Sequence, residues 1–325
     1  MDYPYVSIII PAYNAQDTLQ RCLDSIMRID YPAERREVIL VNNNSHDATE
    51  DIARRYPITV VHENMIQTSY AARNLGIQHA KGEILAFTDT DCIVTPQWIK
   101  TLLTSYDNPE IGCFAGKIKS YQPKTLAECF AAQDEENHNQ ERSLKTGYLP
   151  AANTANVAYR KEVFQKVGLF NGNLKSGGDA ELTWRLVRHG GYKIIYVPEA
   201  VVYHQHRTSI ADLYRQHRKY GESITDLLRL YPGSCGDTYW FIKDIFIFGF
   251  AGIKSLPGNL YRYYRGDISR VEVWFDLLKA VCRLGLVVGR VRAQGRRDDE
   301  SISRFLVLRY LLIKSYIRIK SFLVS

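Results

Sequence analysis

Ile84-Leu85-Ala86-Phe87-Thr88-Asp89-Thr90-Asp91-Cys92 is an apolar run that passes straight into two carboxylates one residue apart. Residues 84–87 have the length and composition of a buried strand. In an open parallel sheet, ligands bind beyond the carboxyl ends of the strands, so Asp89 and Asp91 stand where a ligand is expected. Hard divalent cations take carboxylate oxygens and keep positions open for phosphate, and a cation there stabilises a diphosphate as it leaves. The competing reading gives one Asp to a helix cap and the other to solvent, and Thr95-Pro96 does look like a helix start. A lone Asp-x-Asp favours that blander reading; the flanking sequence shifts the balance.

Upstream, apolar runs of strand length alternate with helical stretches. Residues 6–10, 37–41 and 58–61 read as strands, and 15–27, 48–56 and 69–80 as helices. This alternation indicates βαβ units and a parallel sheet. The loop after the first strand and the polar loop 42–47 then open at the same edge as Asp89 and Asp91. The chain has no Gly-x-Gly-x-x-Gly and no Walker phosphate loop, so a bound diphosphate must be neutralised by cation and side chains.

In order and spacing, a set of segments resembles family 2 glycosyltransferases with the GT-A fold. They are Val6-Ser7-Ile8-Ile9-Ile10-Pro11-Ala12-Tyr13-Asn14-Ala15, Val41 to Asp47, Ala71 to Ile77, and Asp89-Thr90-Asp91. Further on come Ala151 to Asn156, Gly177-Gly178-Asp179-Ala180-Glu181-Leu182 with Arg185, and Tyr203-His204. The resemblance spans about residues 5–206. It implies an α/β, Rossmann-like sandwich that binds a nucleotide-diphospho-sugar. On that resemblance Pro11, Ala12 and Tyr13 line the nucleotide pocket, and the 42–47 loop, with Asn42 and Asn44, meets the base. Arg73 and Asn74 lie beside base and ribose, Asp89 and Thr90 serve the ribose, and Asp91 with His204 holds Mg2+ or Mn2+. Asp179 is the catalytic base. Asn42 stands where the family usually has Asp; an amide both donates and accepts, which leaves the identity of the base open.

Residues 95–106 read as a helix, 112–120 as a strand and 125–142 as a helix rich in Glu, Gln and Asn. Asp134, Glu135, Glu136 and His138 on that helix allow a metal reading, but a solvated or acceptor-facing helix is preferred. The small residues around Asn153 let a ligand approach the backbone, beside the donor sugar in this family. Gly177 and Gly178 permit a sharp turn into a helix over 180–189. Asp179 at its start also suits a simple N-cap. Family members often have Glu-Asp where this chain has Gly178-Asp179. Glu181 is the second choice of base, and Gly178, Glu181 and Trp184 are candidate acceptor or donor-sugar contacts, with a core position the alternative for Trp184. His206 is the weaker choice of metal ligand, and a structural role is preferred for it.

The chain has 325 residues, enough for one large or two modest domains. Its six cysteines show no regular spacing, which fits a reducing compartment. The first residues lack a basic n-region, so no secretory signal is expected. Residues 1–200 carry 21 Lys and Arg against 24 Asp and Glu, whereas 201–325 carry 21 against 11. We therefore divide the chain into a catalytic domain, 1–210, and a basic, apolar helical extension, 211–325. Residues 212–230 read as a polar helix; 239–250 and 273–288 are apolar but interrupted by charges, which argues against membrane spans. Residues 289–297 are basic, and 301–325 read as an in-plane amphipathic segment on anionic lipid. Burial of that tail in a homodimer is the other arrangement. The expected enzyme is cytoplasmic, peripheral on the inner face of the cell membrane, with no nucleic acid partner.

The combined expectation is an inverting transferase that moves a sugar, from a UDP-sugar in the first instance, to a hydroxyl of a glycan or glycolipid. A nucleotidyltransferase would need a glycine-rich phosphate loop after the first strand, and Pro11-Ala12-Tyr13-Asn14 is not one. A non-catalytic scaffold would need only the basic tail.

Overall fold

In the computed structural model, which describes residues 3–137, 140–146, 150–231 and 254–295, the apolar run Val6–Ala12 forms strand β1 at the centre of the parallel half of the sheet. It pairs in parallel with β2 (Arg36–Asn42) on one side and β4 (Ile84–Phe87) on the other; β3 (Thr59–His62) lies beyond β2. All four residues of β4 are buried, as a strand covered on both faces requires. Side chains alternate across β1. Ile8 and Ile10 enter one core with Leu19, Leu23 and Ile26 of α1 (Leu19–Met27) and Trp98 of α4 (Trp98–Leu102). Ile9 enters the other, with Tyr70 and Ile77 of α3 (Ser69–His79), Phe164 of α7 (Lys161–Val167) and Leu182 of α8 (Gly178–Arg185). At Gly76 an added Cβ would lie 2.4 Å from Ile9, so glycine lets α3 lie directly on the sheet.

The sheet is not parallel throughout. Its eight strands run β3-β2-β1-β4-β7-β6-β8-β5, and β7 (Val157–Arg160) is antiparallel to both β4 and β6 (Ile111–Ser120). The helical α5 (Leu126–Asn137) and α6 (Gln140–Thr146), read as one helix from sequence, bring the chain back to the carboxyl edge, so β7 must start there and run down. β8 (Lys193–His204) is parallel to β6, and the short β5 (Cys92–Val94), unforeseen in the sequence, is antiparallel to β8. β8 runs through Pro198, which has no N–H for the ladder. The register breaks there, from Gly116 opposite Val197 to Lys117 opposite Val201. Asn156 fills the break: its Nδ2 donates to Lys117 O and Ala200 O, both at 2.8 Å.

Most helices are shorter than the sequence patterns suggest; α2 keeps only Thr49–Ala53. After α8 the chain makes a π turn over Leu186–Gly190. The helix α9 (Ile210–Leu230) is capped by Ser209 Oγ, which accepts from Asp212 N at 3.1 Å. A short helix, α10 (residues 254–264), precedes α11 (Phe275–Gly295). α11 lies close along α9: a Cβ at Gly289 would meet Arg218 O at 2.0 Å. A third core joins Phe130 of α5, Leu213 of α9 and Phe275, Leu278 and Cys282 of α11. No described helix is long and apolar enough to cross a membrane. His138, Cys235, the run 239–250, residues 296–297 of the basic stretch and the segment 301–325 lie outside the described residues.

Candidate active site

The carboxyl edge gathers β1, β2, β4, β6 and β8 at their ends and β7 and β5 at their starts. A cleft opens above it. One lobe, about 560 Å³, is lined by Pro11, Ala12, Tyr13, Asn43, Thr68, Arg73, Asp89 and Thr90. A second, about 370 Å³, is lined by Tyr70, Asn153, Thr154, Ala155 and Asp179 on the sheet side and by Glu135, His217 and Tyr220 on α5 and α9. Both sizes suit a small organic ligand. Asp89 and Asp91 border both lobes.

Pro11, Ala12, Tyr13, Arg73, Asp89 and Thr90 thus share one lobe, as expected from the sequence. The asparagine run is corrected. Asn42 is only 4% exposed; its Nδ2 donates to Glu50 Oε2 at 3.0 Å and its Oδ1 accepts from Ser45 N at 3.0 Å. Asn44 sits in the left-handed region at φ 62° and points to solvent outside the lobe. Asn43 lines the lobe instead. Its Nδ2 donates to Thr68 O at 2.8 Å, and its Oδ1 has no partner among the described residues. Asn74 also leaves the site: its amide donates to Phe170 O at 2.8 Å and accepts from Phe170 N at 3.0 Å. Arg73 is 3% exposed, donates to Asp89, and lies 5.5 Å over the ring of Tyr70.

The pairing of Cys92 with His204 in β5 and β8 brings Asp91 to His204. Asp91 Oδ2 lies 3.6 Å from His204 Nε2 and 3.9 Å from an Arg207 guanidinium nitrogen. Burial disfavours the charge on Asp91, but His204 and Arg207 outweigh it and hold the carboxyl low. Burial likewise works against a charged His204, yet Asp91 and Glu135 raise it to about 10. Glu135 is held at about 2, against its own burial, by His204 and His206. The ligand-capable atoms of Glu135, His204 and His206 lie within 4.8 Å of one another, and His206 Nε2 is buried without a hydrogen bond. Carboxylates and imidazoles at these separations fit a divalent transition cation, which would take the place of the histidine proton. Asp91 and His204 could hold it facing the cleft.

Asp179 follows Gly177, whose φ of 74° is left-handed and suits glycine. Its Oδ1 accepts from Ala180 N at 2.9 Å and from the Tyr70 hydroxyl at 3.3 Å. Burial raises the carboxyl despite those bonds and the charge of Arg73. A Cβ at Gly178 would be 2.9 Å from the Tyr70 ring, so Tyr70 fills the space that a side chain at 178 would take. Asn153 borders the lobe but spends its Oδ1 on Ala155 N at 2.9 Å.

Glu181 and Trp184 face away from the cleft. Glu181 makes a two-point ion pair with Arg185, at 2.7 and 2.8 Å, and accepts from the Tyr231 hydroxyl at 2.6 Å. Trp184 is a core residue, edge-on to Tyr231 at 5.5 Å. Neither is placed to act as base or acceptor contact. The sequence reading set Glu135 aside as solvated or acceptor-facing and did not single out Asn43, Lys175, Arg207 or Lys219, the last three of which line the first lobe around Asp91. Lys219 lies on α9, so the region read as an extension supplies part of the cleft.

The family described as glycosyl transferase family 2 matches residues 7–168. The chain is 32% identical to glycosyltransferase AglE of Haloferax volcanii, over 63% of this chain and 68% of that one. It is 27% identical to a pre-mycofactocin glycosyltransferase of Mycobacterium tuberculosis, over 70% of this chain but 48% of the relative's length. In structure it resembles the mannosyltransferase PcManGT from Pyrobaculum calidifontis, solved with GDP-Man and Mn2+, with a TM-score of 0.55 and 20% identity over 95% of this chain and 80% of that one.

Proposed function

The chain belongs to glycosyltransferase family 2 and has the GT-A fold, and from that premise we propose that it is an inverting, divalent-cation-dependent enzyme that moves a sugar from a nucleoside-diphosphate donor to a hydroxyl of a glycan or glycolipid. The observation that carries this reading is the meeting of Asp89, Asp91 and His204 with Asp179 around one cleft. The nucleotide occupies the lobe of Pro11, Ala12, Tyr13 and Asn43, with Arg73 and Asp89 at the ribose. Asp91 and His204 hold Mg2+ or Mn2+, which when bound stabilises the charge on the leaving diphosphate; Mn2+ in solved relatives of the same fold supports this choice. Lys175, Arg207 and Lys219 add positive charge on the same side.

Asp179 takes the proton of the acceptor hydroxyl. The oxygen attacks the anomeric carbon from the face opposite the diphosphate, whose bond to that carbon breaks. A positioned base of this kind contributes typically about 10²–10⁴-fold. A carboxyl raised by burial is a stronger base than a solvated one, and Arg73 and Tyr70 act against that rise, favouring its ionised form.

The excess of Lys and Arg over Asp and Glu in 201–325 supports a site at an anionic membrane face. On that reading 211–325 is an attachment region whose first helix also completes the cleft. Because the chain's relatives are glycosyltransferases, the nucleotidyltransferase and scaffold readings lose their support.

The test is donor binding and hydrolysis across UDP-, GDP- and dTDP-sugars, with Mn2+ and with chelator. Cation-dependent hydrolysis of one donor class is the expected result; binding of none, in either condition, would overturn the reading.

A further inference from the structure

Glu135 has no part in the mechanism above, yet it faces the cation residues from the helical wall of the cleft. Its Oε1 lies 3.7 Å from His204 Nδ1 and its Oε2 3.4 Å from His206 Nε2. The other nitrogen of His204 is the one that faces Asp91. The His204 ring therefore stands between two carboxylates, Asp91 beside the sheet and Glu135 on α5. His206 is about nine-tenths buried, and among the described residues its Nε2 has no hydrogen bond.

A neutral imidazole has one lone pair and one N–H. A cation beside Asp91 needs the lone pair at Nε2, so the proton must stay at Nδ1, and it needs an acceptor. Among the described residues the carboxylate facing Nδ1 is Glu135. We propose that Glu135 is the positioning residue of the cation site, fixing His204 in the tautomer that turns Nε2 to Asp91 and anchoring His206 alongside. The inference rests on the assignment of Asp91 and His204 to the cation.

Loss of an outer carboxylate partner of a ligating histidine typically lowers metal affinity about 10–100-fold.

The experiment is a Mn2+ titration of the full chain without donor, read by electron paramagnetic resonance. Glu135→Gln keeps the shape and removes the charge. We expect its Mn2+ affinity to fall about 10–100-fold, and its turnover deficit to shrink as Mn2+ is raised. A purely structural defect would leave a deficit that Mn2+ does not relieve, and would count against the inference. Mn2+ affinity unchanged in Glu135→Gln but lost in Asp91→Ala overturns the role of Glu135 and leaves the parent reading standing. Affinity unchanged in both variants overturns the parent reading as well.

Discussion

The two walls of the cleft are built differently. The sheet wall takes Ala12, Asp89, Asp91 and His204 from strand ends whose register is fixed by paired backbone, such as Ala12 opposite Asn42 and Cys92 opposite His204. The helical wall takes Glu135, Lys219 and Tyr220 from α5 and α9, which are held by a third core of Phe130, Leu213, Phe275, Leu278 and Cys282. On the first wall a ladder places each residue, so side chains can carry charge without also having to pack. On the second, position follows from apolar packing far along the chain.

That contrast can be tested by variants on and off each wall. The largest effect should fall on a residue that looks catalytic in sequence but serves packing. Glu181→Gln leaves Arg185 largely buried without its charge partner, and breaking such a pair costs about 3–5 kcal/mol. We expect a clear fall in melting temperature with kcat/KM unchanged in the folded fraction. A selective loss of turnover instead would return Glu181 to the site. On the helical wall, Lys219→Ala should weaken donor binding about tenfold, the lower range for a charged hydrogen bond, and the loss should shrink at high salt. Equal affinity by calorimetry at low salt would remove α9 from the donor site.

A smaller effect is expected at Tyr70→Phe, on α3 beside the sheet wall. The hydroxyl stabilises ionised Asp179, with Ala180 N and Arg73 acting in the same sense. Removing it raises the Asp179 pKa further, so the acid limb of the pH–rate profile should move to higher pH. The turnover loss should be modest, about tenfold or less, as one hydrogen bond contributes about 0.5–1.5 kcal/mol. An acid limb that stays in place would detach Tyr70 from the base.

The same division explains what the sequence could convey. Residues 84–87 were legible because a strand buried on both faces is a continuous apolar run, and Asp89 and Asp91 follow it without a gap. Asn42 and Asn43 could not be told apart by pattern. β2 runs one residue further than its apolar run, and strand alternation then turns Asn42 toward Glu50 and Asn43 toward the cleft. Glu135 sits in a run of three acids, and only the seating of Phe130 in the third core decides which of them meets His204. His206 appeared structural because nothing near it in sequence is a partner. The antiparallel β7 and β5 were hidden because their direction depends on where a long excursion returns.

The central claim is that Asp179 is the base of a cation-assisted, inverting transfer. Its most direct test is Asp179→Asn, with donor binding and turnover measured on the same preparation. Donor and Mn2+ affinity should stay close to wild type while turnover falls by about 10²–10⁴-fold. Turnover at the wild-type rate would contradict it.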